Sequence, residues 1–572
     1  MCRKMARIEG VPMKSAGYAA LFCCFFCVVL SWGQDSPPQH LVQDWSSRHV
    51  VFSGLTPYTI DDAVAADPRA WHSWLSHARY TFQSAEESNR EPNSDYSKPH
   101  PKKSMRRDWQ MNIGGSSVGP RAFPAKFSFN VNAPPDCTND YVVFGTNNPV
   151  TTGHLGGSPS IVAFNNLYTG PGPTGICPTP IAPASQPSVL FSYNTATVSS
   201  GQSFANLSPV LSLDGTKIAF VENNSGGGSN YTAFHVLTWK AGEGTLSSAV
   251  LPGNCAAGNS CMTTLVLSTT TGNNTSSPFV DYSHDTAYVA DGGLLHKITP
   301  VFSGTPKDTV GGGWPVALSF AGSPVHDSVS GRIFVVANVS GSNSLVVINS
   351  ATGATISTTP LTAFMPDGPI VDSGNQTVFV FFTALPSFAL TVDQFDTSGT
   401  LLSQVVAGHV SGNVNIFTGT FDNNYFSNPS IGRLYFAGAI NGIGSLYAVG
   451  FTGKVMNITF SGPLALSTSA TTSVPTPLTS IYNPTLTGSP DRLFVGLDAH
   501  CTSSSNAGCM ENLNISTGFP SSVLSTLTIP AANGSLDMSG IIIDNVSPLA
   551  QASSVYFDAA GIAFKLTQSA LQ

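Results

Sequence analysis

The sequence predicts an all-β ring of eight four-stranded sheets, preceded by a small helical segment. Three observations carry this expectation. Eight times a short β-type run ends in a small polar residue, at Asn130, Ser212, Asp281, Asp327, Asp372, Asp422, Asn483 and Asp544. These anchors recur every 45 to 82 residues, a spacing characteristic of repeat architectures. After each anchor comes a turn and an apolar strand, such as Tyr141-Val-Val-Phe144, Ala287-Tyr-Val-Ala290, Val378-Phe-Val-Phe381 or Leu493-Phe-Val-Gly496. The composition agrees, because Gly 54 and Pro 40 supply turns between many short strands while charged residues are only 10% of the chain. Radial repetition of four-stranded units leaves only short sheet edges, so the predicted architecture is a β-propeller of eight blades. Seven is the alternative, because the first interval of 82 residues leaves room for an irregular unit.

In chain order, the first element is a targeting segment. Arg3, Lys4, Arg7 and Lys14 precede an apolar run from Tyr18 to Leu30, and Ser31-Trp32-Gly33 offers small residues at a signal-peptidase site. Residues 1–33 are therefore expected to be a signal peptide, with Met13 as an alternative start. Cys27 lacks the small preceding residues of a lipid-attachment site. The mature chain would carry a net charge of −11 and would be secreted, periplasmic or at the cell surface. No later run is long and apolar enough to cross a membrane.

Residues 34–107 differ in composition from the repeat region. Thr59 to Asp62 resembles a capping box, Asp67-Pro68 supplies an N-cap and N1 proline, and Trp71, Trp74, Leu75 and Ala78 follow at i, i+3, i+4 and i+7. A helix over 59–80 is thus expected to dock on the ring through Trp71 and Trp74. Residues 84 to 107 are polar, with Lys98, Lys102, Lys103, Arg106 and Arg107, and read as a solvated linker whose cleavage should release the helix from a folded ring.

From 108 to 572 the repeats run to the end. A short polar side chain closing a strand can bond the backbone of the turn it opens, which is the local reason for the anchors. Third and fourth strands are clearest in Ser344-Leu-Val-Val-Ile-Asn349 with Gly353, and in Ser445-Leu-Tyr-Ala-Val449 with Gly453. The last repeat supplies only three strands before Gln572, so Asp108-Trp-Gln-Met-Asn-Ile113 is predicted to pair with Ile562 to Leu566 and complete it. The repeat region holds 11 Lys or Arg against 22 Asp or Glu, which excludes a basic nucleic-acid footprint.

Six cysteines remain after the leader. Cys255 with Cys261, and Cys501 with Cys509, bracket loops rich in small polar residues, which leaves Cys137 with Cys177. Disulfides suit an exported chain, and no CxxC or His-Cys cluster points to zinc.

Candidate chemistry is sparse. Gly115-Ser-Ser117-Val-Gly119 matches the GxSxG nucleophile pattern, but Pro120 and Pro124 deny it the following helix, so it reads as a loop. His72 and His77 are five apart, the wrong spacing for one face of an α-helix. Asp281-Tyr-Ser-His-Asp285 reads as the third station's turn rather than a metal or acid/base cluster. Sequons at Asn206, Asn230 and Asn338 imply glycosylation only in a host with that machinery.

Two stretches resemble known repeats. Ser208-Pro-Val-Leu-Ser-Leu-Asp214-Gly-Thr-Lys-Ile-Ala-Phe220 resembles the repeat of TolB-type WD40-like propellers. Arg332-Ile-Phe-Val-Val336, Leu345-Val-Val-Ile-Asn349 and Thr352-Gly353 are similar to quinoprotein-like propellers, and the chain as a whole resembles exported bacterial repeat proteins. The fold hosts binding proteins, hydrolases, lyases and dehydrogenases, so function must come from a site. A quinoprotein would stack its cofactor between a tryptophan and an adjacent-cysteine disulfide beside calcium. Here the mature cysteines are never adjacent, and only Trp239 and Trp314 lie beyond Trp109. The expected function is therefore a monomeric binding or scaffold module, with no cofactor or metal, that recognises a protein or glycan on a propeller face. A quinoprotein-like oxidoreductase and a propeller hydrolase or lyase are the alternatives.

Overall fold

The computed structural model describes residues 39–78 and 105–568, except 152–156, 170–175, 178–185, 198–201, 226–229, 257, 271–273, 362, 365–366, 410–415, 469–472, 484–489, 502–506, 530–536 and 546–552. The expected leader and most of the polar linker lie outside the described residues. Between His40 and Gln572 the chain forms one compact unit.

Eight antiparallel sheets follow one another around an axis, and this is an eight-bladed β-propeller. Each blade starts on a short inner strand, and in seven of the eight it ends at or beside its anchor, as in Phe279–Asp281, Val325–Asp327, Ile370–Asp372 and Ile542–Asp544. The second and third strands are sandwiched between neighbouring blades. That is why Thr377–Ala384 and Asp491–Leu497 are buried almost throughout instead of alternating. Alternation returns at the rim, where Thr355–Pro360 and Ser525–Thr528 expose every other residue or more.

The ring closes by a shared sheet. Met105–Asn112 is the outermost strand of blade 8, antiparallel to Ile562–Gln568, with Trp109 opposite Lys565 and Asn112 opposite Ile562. Trp109 also donates from Nε1 to the Leu167 carbonyl of blade 1 at 3.0 Å. The closing strand starts three residues earlier than the predicted 108–113.

A second relay ties the inner ends together. The Phe123 amide donates to Ser208 Oγ at 3.0 Å, Ser208 N to Ser277 Oγ at 3.0 Å, and Ser277 N to Ser323 Oγ at 2.9 Å. The serines before Pro209, Pro278 and Pro324 thus each bond one blade to the next.

The six mature cysteines form Cys137–Cys177, Cys255–Cys261 and Cys501–Cys509. No helix among the described residues is long and apolar enough to cross a membrane.

Candidate functional site

The space along the propeller axis is filled by the chain's own residues 40–78. Leu41–Gln43 pairs antiparallel with the inner strand of blade 1, Leu41 opposite Ser128, so the chain enters along that strand. A short helix, Ser46–His49, reverses it, and Val50–Val51 returns parallel to the inner strand of blade 5. Helices Ile60–Ala66 and Arg69–Ser73 follow, and a π-helical turn, Trp74–Ala78, completes the segment.

Its polar side chains reach inner-strand carbonyls around the ring. Gln43 Nε2 donates to Ile543 O at 2.7 Å, Trp45 Nε1 to Pro278 O at 3.0 Å, Arg48 Nη2 to Leu478 O at 2.6 Å, and Arg69 Nη2 to Val280 O at 2.7 Å. His49 Nδ1 lies 2.9 Å from Pro369 O. Inner strands have one free edge each, so these bonds satisfy backbone groups that would otherwise face an empty axis. Leu41, Trp45, Val50, Phe52, Trp71 and Leu75 join the core of the ring. The helix does dock through Trp71, which is buried, and Trp74, which is partly buried. Its apolar side chains pack among core residues of the ring.

Charges within this insert are mostly paired. Arg69 Nη1 is 3.1 Å from Asp67 Oδ1, Nε donates to Ser46 Oγ, and the guanidinium lies 4.3 Å above the Phe279 ring. Asp44 accepts from Ser46 and Tyr282, yet burial outweighs these bonds and Arg69, and raises its pKa. Burial lowers His49 against the pull of Asp367, whose carboxylate is 3.9 Å from Nε2.

The spacing argument for His72 and His77 fails here for a specific reason. Five residues along an α-helix turn about 140° from alignment, but the π turn rewinds this stretch, so both imidazoles line one axial cavity. The cavity has two lobes of about 30 Å³ each. That is room for a few water molecules, whereas cofactor pockets hold about 300 Å³ or more.

The anchors act on turns and on neighbouring blades. Asp281 accepts from His284 Nδ1 at 2.8 Å, Ser212 Oγ accepts from Lys217 N at 2.9 Å, and Asn130 Oδ1 accepts from Asn132 N at 2.9 Å. Asp327 takes Ser373 Oγ at 2.6 Å, and Asp372 takes Tyr425 OH at 2.8 Å and Ser53 Oγ at 2.6 Å, so both reach the following blade. Asp422 caps a short helix, Asn423–Ser427, through the Tyr425 amide. The Asn483 amide donates to Pro490 O, and Asp544 pairs with Lys126 at 2.8 Å. These bonds stay within a turn or reach a neighbouring blade or the insert.

The remaining candidates disperse as well. Ser117 is buried in a loop and accepts from the Gly119 amide. Asp285 holds the amides of Phe302 and Ser303, away from Asp281, and among the described residues no His, Cys, Asp and Glu cluster could hold a metal. Trp239 packs on Tyr141 and Phe191 with Nε1 donating to Gly215 O, and Trp314 packs on Tyr288. Both indoles are thus packed against the protein's own aromatic rings.

Sequence reasoning missed the segment 41–53. Its signal was present in Trp45 and in the strand-like Val50-Val51-Phe52, but nothing local says that such a run lies inside a ring.

No family model matches the chain, and no curated protein matches it. Solved structures give loose likenesses. A protein from Lactobacillus plantarum is 14% identical over 68% of this chain and 99% of its own, with a TM-score of 0.35. The Dos1 propeller is 9% identical over 81% and 95%, at 0.38, and the dihydro-heme d1 dehydrogenase NirN 11% over 75% and 67%, at 0.34. Nothing about ligand or reaction is carried across from them.

Proposed function

We propose that the protein is an exported binding or scaffold module that recognises an uncharged protein or glycan surface with its outer loops and rim. The observation that carries this reading is the filled axis. The insert occupies the place where a propeller could receive a small molecule, and the cavities it borders among the described residues are of water size. Three disulfides support an oxidising compartment. The outer strands Thr355–Pro360, Val455–Ala465 and Ser525–Thr528 carry no charged residue and expose Thr, Ser and Ile side chains, which favours a neutral partner over a polyanion.

Two measurements test it. Mature protein mixed with pyrroloquinoline quinone and calcium is expected to show no thermal shift. A cofactor at a hundred times its dissociation constant would add about 2.7 kcal/mol, so a saturable shift sensitive to Trp239 or Trp314 would replace the module reading with an oxidoreductase. Affinity electrophoresis through a panel of polysaccharides, with cross-linking to envelope proteins, should reveal a neutral partner. Retardation by acidic polymers alone would contradict the proposal.

A further inference from the structure

Arg48 in the axial insert is a cation with no anion to answer it. Its Nη2 donates to the Leu478 carbonyl and, at 3.3 Å, to Thr420 Oγ1, both neutral. Arg69, Lys126 and Lys565 each lie within 3.1 Å of a carboxylate, but among the described residues no carboxylate makes an ion pair with Arg48. Arg48 is partly buried, and with no counter-charge beside it the surrounding protein lowers its pKa to about 10.

The guanidinium borders the axial cavity, whose lobes share Ser47, Arg48, His72, His77 and Ser480. One lobe includes Asp44. The other has no acidic residue in its wall and adds Ser73 and Thr420 to the polar lining. Burial holds His72 at about 4 and His77 at about 3, so Arg48 is the only charge on that lobe near neutral pH. The π turn that brings both histidines to this wall is a second irregularity at the same place, and such turns recur at functional sites.

We propose that the acid-free lobe is a binding site for a small inorganic anion of chloride size, seated against Arg48 and the hydroxyls of Ser47 and Ser73. Room for a few water molecules suits a halide that keeps one or two waters of its own. Arg48, His72 and His77 belong to the insert, whereas Thr420 and Ser480 belong to blades 6 and 7. The anion would therefore pin the insert to the ring.

Thermal melts of the mature chain at constant ionic strength, with sodium gluconate progressively replaced by chloride, bromide or phosphate, test the site. Chloride and bromide should each raise the melting temperature saturably, by about 2 °C, and Arg48→Gln should abolish the saturable part. If Arg48→Gln fails to fold, a bromide-soaked crystal of the wild-type protein decides by itself. Anomalous density within hydrogen-bond distance of the Arg48 guanidinium supports the assignment, and its absence overturns it. Equal halide responses in wild type and Arg48→Gln, or a response to phosphate with none to chloride, would also overturn it.

Discussion

Where the ring closes, Lys126 of blade 1 and Lys565 of blade 8 are both fully buried, 2.8 Å from Asp544 and 2.9 Å from Asp108. Tyr168 donates to Asp140 at 2.6 Å and to Asp544 at 3.1 Å, so the charges share one hydrogen-bonded network. A buried ion pair adds little over an apolar pair, but losing one partner strands the other. Lys126→Met should therefore cost about 3–5 kcal/mol in chemical denaturation, and adding Asp544→Leu should recover most of it. A double variant as unstable as the single one would place the effect elsewhere. Charge also sets the pH response. Burial raises Glu511 to about 8, and its Oε2 has no partner among the described residues, while an unfolded glutamate releases its proton near 4.5. The folded state thus binds more protons between these values, and stability falls as pH rises through them. His296 acts in the same sense. Burial opposes its charge, yet Asp291 and Asp308 carry it to about 9, so its contribution is full below about 6.5 and is lost as pH rises through 9. Glu511→Gln should raise stability at pH 8.5 by about 2–4 kcal/mol and change it little at pH 4.5. Urea titrations at both pH values check this, and an equal gain at each would point to packing instead.

The axial insert is the element whose role most exceeds its length. Trp45 is almost fully buried, hydrogen-bonded to blade 3 and edge-on to Phe279. Trp45→Ala is expected to cost about 3–5 kcal/mol, measured by denaturant unfolding. Trypsin cleavage near Lys102 or Lys103 should leave the insert bound, and it should co-elute with the ring in size exclusion until denaturant is added. Release of a free fragment under native conditions would contradict its place in the core. The disulfides rank by the loops they close. Loop-closure entropy predicts a loss of about 4 kcal/mol for the Cys137–Cys177 bridge, separated by 40 residues, and about 2 kcal/mol for Cys255–Cys261, separated by 6. Paired Cys→Ala variants followed by calorimetry test the order.

For the whole molecule, closure and plugging are separate constraints. A variant lacking residues 40–104 keeps the strand Met105–Asn112 but exposes the inner strand edges, and one lacking 40–113 also opens blade 8. The first should melt well below the full chain. The second should aggregate, because a bare outer strand and a broken blade seam both invite edge pairing. Light scattering during thermal melts separates the two outcomes, and identical curves would mean that the closing strand adds nothing beyond the insert.

Blade count, anchors and the two short cysteine pairs were legible in the amino-acid order because each depends on neighbours, and the closing strand was legible because the last repeat supplies only three strands of its own. An Asp ending a strand bonds its own turn, as Asp281 does with His284, and Cys255 meets Cys261 across a few residues. The seam pairs Lys126 with Asp544, more than 400 residues away, and the insert's donors find carbonyls at Pro278, Pro369, Leu478 and Ile543. Only the closed ring brings those groups to one axis, so no local pattern announces them. The π turn is the clearest instance. His72 and His77 face apart by helical periodicity, and packing inside the ring, by rewinding one turn, sets them on the same wall beside Arg48.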